Sequence, residues 1–181
     1  MNHIAHLQLL ARYNQWMNDN LFAAAATLPA EALALDQGAF FGSILGTFNH
    51  LAVGDTLWLK RFATHPSCAD ALQPITEVPT PKRLNETLFG ELGGLRHYRT
   101  KLDELIVKGV ASLHDKALTQ SLTYKNTKGI EITRNFHALL IHFFNHQTHH
   151  RGQVTTLLFQ AGVDPGITDL FVLIPDEQAE A

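Results

Sequence analysis

The stretch NFHALLIHFFNHQTHHRGQVTTLLFQAG, residues 135–162, decides the fold. Its apolar residues recur three or four apart, which places them on one face of a helix. The core stripe reads Leu139, Phe143, His146, His150, Leu157, Ala161. The helix is predicted to start near Arg134 or Asn135. It ends at Gly162, a natural C′ glycine, with Pro165 beyond. Two histidines therefore sit inside an apolar stripe, about 40° apart and one turn from each other. His-x3-His is how a helix offers two imidazoles to one metal ion. Two core histidines that merely hydrogen-bond to neighbours would show the same spacing. His142 and His146 form a rival pair, with His142 alongside Gln153. Spacing alone does not choose between the pairs.

Working outward, three more helices precede this one. Ile4, Leu7, Ala11, Met17, Leu21 and Ala25 keep helical spacing from Ile4 to about Thr27, with Pro29 beyond. A second helix is expected from about Phe41 to Ala63. The three-proline segment from Pro66 to Pro79 reads as a connection. Thr80-Pro81 looks like an N-cap followed by a first-turn proline, so a third helix is expected from there to about Val107. Leu122, Tyr124, Ile130 and Ile132 then alternate around Asn126–Gly129, which predicts a small β-hairpin. The expected fold is all-α: a four-helix bundle, with a short hairpin or irregular insertion before the last long helix, in one domain spanning residues 1–181. The acidic tail from Pro175 is expected to fray.

Composition sets limits on function. The chain has 181 residues, 45% hydrophobic and 17% charged, with a net charge of −3, so it can build a real core. There is no basic excess to neutralise phosphates, and no nucleic-acid partner is expected. One cysteine, Cys68, excludes an intrachain disulfide and any cysteine-built metal site. No apolar run approaches a membrane span, and no secretory signal is visible, so a cytoplasmic address is expected.

The unusual count is eleven histidines, five of them between His137 and His150. A third ligand must come from another helix, and His50 is the best candidate within the second one. Gly54, one turn later, either permits close helix packing or leaves room beside His50. Asp55 lies about 140° from His50 on an ideal helix, so it is read as a structural hydrogen bonder and not as a ligand. His3, His6, His65, His97, His114 and His137 read as ordinary polar residues, with His97 beside Arg96, Tyr98 and Arg99 on a solvated face. Phe143 and Phe144 cannot both face one core of an ideal helix, and this suggests self-association.

The run His146-Gln147-Thr148-His149-His150-Arg151-Gly152-Gln153 resembles the signature of the DinB/YfiT-like family of metalloenzymes. Tyr13-Asn14-Gln15-Trp16 resembles the family's first-helix motif. Phe41-Gly42-Ser43-Ile44 through Asn49-His50, with Asp55 and Trp58, resembles its second helix. Gln160-Ala161-Gly162-Val163-Asp164-Pro165 resembles the stretch after its fourth. The resemblance implies a four-helix bundle that holds one divalent ion, zinc or nickel, on His50, His146 and His150, leaving His142 and His149 outside. It also implies a homodimer and, as in characterised relatives, a thiol-dependent S-transferase or isomerase acting on a small molecule with a low-molecular-weight thiol.

Three neutral imidazoles would leave the ion's charge intact and a coordination position open, as in a catalytic site. Such an ion activates a thiol or a water. Gln153 could orient a ligand or substrate, whereas Arg151 is expected to pack against another helix. No triad, phosphate loop or glutamate beside the histidines appears, and no catalytic residue is assigned. The competing expectations are a non-catalytic metal-binding stress-response protein and a bundle whose histidines only pack.

Overall fold

The computed structural model describes residues 2–176. Most of the frayed tail expected from Pro175 lies outside them. The protein is mostly helical. Four long helices carry it: α1 (His3–Ala25), α3 (Ile44–Phe62), α5 (Leu92–Ala111) and α7 (Phe136–Gln160). Three short helices lie between them: α2 (Ala30–Ala34), α4 (Gln73–Thr76) and α6 (Asp115–Leu118). A 3-10 turn (Leu170–Leu173) follows α7. Helices α1 and α3 each pack against both α5 and α7. Leu7, Leu21 and Phe22 of α1, Ile44, Phe48 and Leu51 of α3, Leu95 and Leu102 of α5, and Phe136, Phe143 and Leu158 of α7 share one buried apolar cluster.

Local chemistry sets the ends of the helices. Asn2 Oδ1 accepts from Ala5 N at 2.8 Å, and Ser43 Oγ accepts from Gly46 N at 3.0 Å. Helix α3 therefore starts at Ile44, slightly later than its periodicity suggests. Helix α7 starts and stops as its sequence requires. Asn135 caps it by accepting from Ala138 N at 2.9 Å. Beyond Ala161, Gly162 takes φ +82° and Val163 N donates to Leu158 O at 2.9 Å, closing a Schellman motif.

The hairpin pairs β1 (Ser121–Lys125) with β2 (Glu131–Asn135) in antiparallel register, Thr123 opposite Thr133. Asn126 Oδ1 holds its turn by accepting from Lys128 N and Ile130 N at 2.9 and 3.0 Å.

The third long helix departs from expectation. It begins at Leu92, not at Thr80-Pro81, because Glu91 caps it with both carboxylate oxygens, accepting from Gly93 N and Gly94 N at 2.7 and 2.6 Å. The preceding residues are instead tied to α3. Asn49 Oδ1 accepts from Leu88 N and Phe89 N, while Asn49 Nδ2 donates to Phe89 O. Helix pairing would send Leu88 N to the Leu84 carbonyl. Asn49 takes that N–H, and the Leu84 carbonyl is left available to the site described below.

Phe143 and Phe144 also depart from expectation, since both are buried within the monomer. Helices α1 and α3 pack on α7 from two sides and both rings are covered, so this pair gives no argument for self-association.

Candidate metal centre

Helix α7 presents His146 and His150 one turn apart, and α3 presents His50 opposite them. His50 Nε2 lies 3.2 Å from His146 Nε2 and 3.1 Å from His150 Nε2. All three ligand atoms fall within 4.8 Å of one another. Among the described residues, no cysteine, carboxylate or further histidine joins them.

The tautomers follow from the outer nitrogens. His50 Nδ1 is 2.8 Å from the Leu84 carbonyl, which can only accept, so the proton sits on Nδ1. His150 Nδ1 is 2.7 Å from Gln153 Oε1, with the same consequence. Both Nε2 atoms then carry lone pairs and face each other across 3.1 Å. Two acceptors at that distance repel each other, and a cation shared between them would relieve that repulsion.

Burial pushes the pKa of all three imidazoles down, furthest for His146, which falls to about 3. Neighbouring His150 and His50 deepen the His146 shift. A proton is therefore a poor cation here at neutral pH. The donor set, the fixed tautomers and the depressed basicity fit a divalent ion that accepts imidazole nitrogen.

Gly54 makes this arrangement possible. A Cβ built there would stand 3.0 Å from His146 Cε1, so the glycine lets α3 approach the His146 ring. Both readings of Gly54 from sequence, close packing and space beside the site, describe the same contact. Phe41 covers the other side: its ring stacks on His50 at 3.7 Å between centroids and meets His150 edge-on at 5.5 Å. Gly42, at φ +75°, turns the chain from Phe41 into α3.

The remaining sequence candidates separate clearly. His142 is exposed and lies against Trp58, 5.2 Å between centroids, outside the group. His149 is exposed and lines a cavity of about 420 Å³ beside the centre with Gln37, Phe40, Gln153, Thr156 and Gln160. Gln153 holds His150 and faces this cavity at once. Of the histidines read as ordinary polar residues, His65 is buried and stacked on Phe136 at 4.0 Å, and His137 is half-buried against His3 at 4.9 Å.

Sequence reasoning missed the network behind the histidines. Asp55 is fully buried and receives Arg99 Nη1 at 2.5 Å and the Gln147 amide. Arg99 Nε reaches Asp103 at 3.1 Å, and Asp103 also accepts from Asn14 and Asn18 at 2.9 and 3.0 Å. Arg151 donates to Asn14 and lies over Tyr13 at 5.2 Å. Arg99 is thus buried and not on a solvated face. Asp55 does act as a structural hydrogen bonder, and Arg151 packs against α1. The signal available in the sequence was Gln147 and Arg151, polar residues at i, i+4 spacing beside the histidine stripe.

Fold and site together define a mostly helical protein whose three clustered imidazoles could hold a metal ion. The chain matches the DinB family over residues 1–179, and it belongs to that family. It is similar to Protein DinB of Bacillus subtilis (strain 168), 27% identical over 161 residues, covering 88% of either chain. No solved structure matches it. No helix among the described residues is long and apolar enough to cross a membrane.

Proposed function

We propose that this DinB-family protein is a metal-dependent enzyme of the thiol S-transferase type, with His50, His146 and His150 as ligands of one zinc or nickel ion. The observation that supports this most strongly is the convergence of the three Nε2 atoms, with the Nδ1 protons of His50 and His150 committed elsewhere. Held by three neutral ligands, such an ion supplies a positive charge that lowers the pKa of a thiol or a water at an open position.

The chain's own residues supply the rest. Leu84 O and Gln153 Oε1 keep two lone pairs aimed inward. Phe41 shields the His50 ring from water on one side. The cavity beside His149 and Gln153 would take the small-molecule substrate. Among the described residues its walls carry amides, a hydroxyl and an imidazole but no carboxylate, lysine or arginine, which suits a neutral polar body.

On this reading the four long helices form the family's four-helix bundle in one domain, and the protein works as a cytoplasmic homodimer. Support for self-association comes from the exposed apolar side chains near the end of α7 and beyond, Phe159, Ile167 and Phe171. The test is turnover. Metal-loaded protein is mixed with a low-molecular-weight thiol and an electrophile, and loss of free thiol is followed. Loss should require the metal and vanish in His146→Ala. Full metal occupancy without turnover across a panel of thiols would favour a non-catalytic metal-binding protein.

A further inference from the structure

The hairpin plays no part in the three-histidine centre, yet it walls a second cavity. This space, about 340 Å³, lies between α3, the segment around Pro81 and the hairpin with its turn. Lys60 and Arg61 of α3, Lys82 of the connection and Lys125 of β1 all line it. Four of the chain's fourteen lysines and arginines therefore meet at one cavity in a protein of net charge −3. Among the described residues, no aspartate or glutamate lines it.

Arg61 is the informative residue. Its guanidinium lies 4.6 Å over the Trp58 ring and 5.0 Å over the Tyr124 ring, so two aromatic rings bracket it. It is half-buried, and burial weakens its basicity. Among the described residues no carboxylate pairs with it, the only ion pairs there being those of Arg99. Lys60 donates to Thr76 O at 3.1 Å and keeps two further donors. Two acids border the site. Glu131 stands opposite Lys125 in the hairpin ladder, and Glu86 accepts from the backbone amides of Lys82 and Arg83. Neither forms an ion pair with the four cations. A partly desolvated, pre-oriented guanidinium surrounded by lysines and without a counter-ion is the arrangement that recognises a tetrahedral oxyanion.

We propose that the cavity bounded by α3, the Lys82 segment and the hairpin is a binding site for a phosphate group, with Arg61 as its anchor. It is independent of the metal centre, since Arg61 lies eleven residues beyond His50, roughly 16 Å along α3. Tyr124 gives the hairpin its role: it forms one of the two aromatic faces under the guanidinium.

The test titrates inorganic phosphate into metal-loaded protein at constant ionic strength, following the Arg61 Nε–H resonance by NMR and the heat by calorimetry. The expected result is saturable one-to-one binding below about 10 mM, where even a site with a Kd near 1 mM fills. Lys82→Met with Lys125→Met, both exposed and so harmless to folding, should weaken it roughly tenfold or more. Arg61→Gln should abolish it. His50→Ala should leave it unchanged. Competition by a sugar monophosphate would identify a phosphorylated small molecule as the ligand, and failure to compete would identify free phosphate. Either result supports the oxyanion site. Non-saturable binding, binding indifferent to the lysine substitutions, or binding lost with His50→Ala would overturn it.

Discussion

Two polar ladders run side by side along α7. His146 and His150 form one, and Gln147 and Arg151, one residue on, form the other. Rotation of about 100° per residue sends the first to the rim of the bundle and the second into its centre. Burial lowers the pKa of both histidines in this ladder, and their Nε2 atoms converge with that of His50. The inner ladder meets Asp55, Arg99, Asp103 and Asn14, so charges of both signs are buried and matched across all four long helices. One ladder could take up a cation from outside. The other has its counter-ions within the chain. On the proposed function, activity and stability fall to adjacent residues of one helix, and the two can be broken separately.

The largest effect is expected in the inner ladder. Arg99→Ala leaves Asp55 and Asp103 buried without their cation, and should cost about 3–5 kcal/mol. Urea unfolding of metal-free protein measures this. A cost under about 1 kcal/mol would show that the network does not hold the helices together.

The second effect separates the ladders. In His146→Ala, metal should no longer raise the melting temperature. In the wild type a ligand at a hundred times its Kd should add about 2.7 kcal/mol. The metal-free variant should lose far less than Arg99→Ala, because among the described residues the buried His146 Nδ1 has no hydrogen-bond partner to lose. An equal loss of stability with and without metal would merge the two ladders into one structural core.

Acidity should distinguish the ladders in the same way. In the fold His146 is held near 3, and His50 and His150 are also lowered, against an ordinary value near 6.5. The unfolded chain therefore takes up protons first as pH falls. The stability these residues contribute is full above about 6.5 and is lost as pH drops towards 3. Burial raises Asp55 and Asp103, whose contribution runs the opposite way, but it is common to loaded and chelated protein. The gap between the two melting temperatures should thus stay level from pH 8 to about 6.5. Below that it should narrow, as folded His50 and His150 begin to protonate and compete with the ion. A gap that widened on acidification would contradict histidine ligation.

The smallest effect concerns the support of the outer ladder. Gln153→Ala frees His150 Nδ1 and should weaken metal binding about 10–100-fold without unfolding the protein. His149→Ala, at an exposed ring outside the group, should change affinity far less. Metal titration against a competing chelator compares the two.

The outer ladder was largely legible in the sequence because its geometry is local. His-x3-His on an apolar face, and a glycine one turn after His50, are visible as spacing. The choice between His142 and His150 was not, since it depends on Trp58 and Gln153 as partners. The Leu84 carbonyl was hidden for a different reason. Thr80-Pro81 carries a good local start signal, but Asn49 and Glu91 override it with bonds made across the fold. Arg99 was misplaced because a charged residue reads as solvated unless its partners are known, and Asp55 lies 44 residues away. Phe143 and Phe144 were misread because how far neighbouring helices wrap around α7 is a tertiary property.

The central claim is that three imidazoles, each through Nε2, surround one ion. Metal-edge X-ray absorption on stoichiometrically loaded protein tests it most directly. Zinc-loaded wild type should show three imidazole scatterers near 2.0–2.1 Å. His50→Ala should lose the site or retain two. A spectrum with a sulfur ligand, with fewer than three imidazoles in the wild type, or unchanged by His50→Ala would contradict the account.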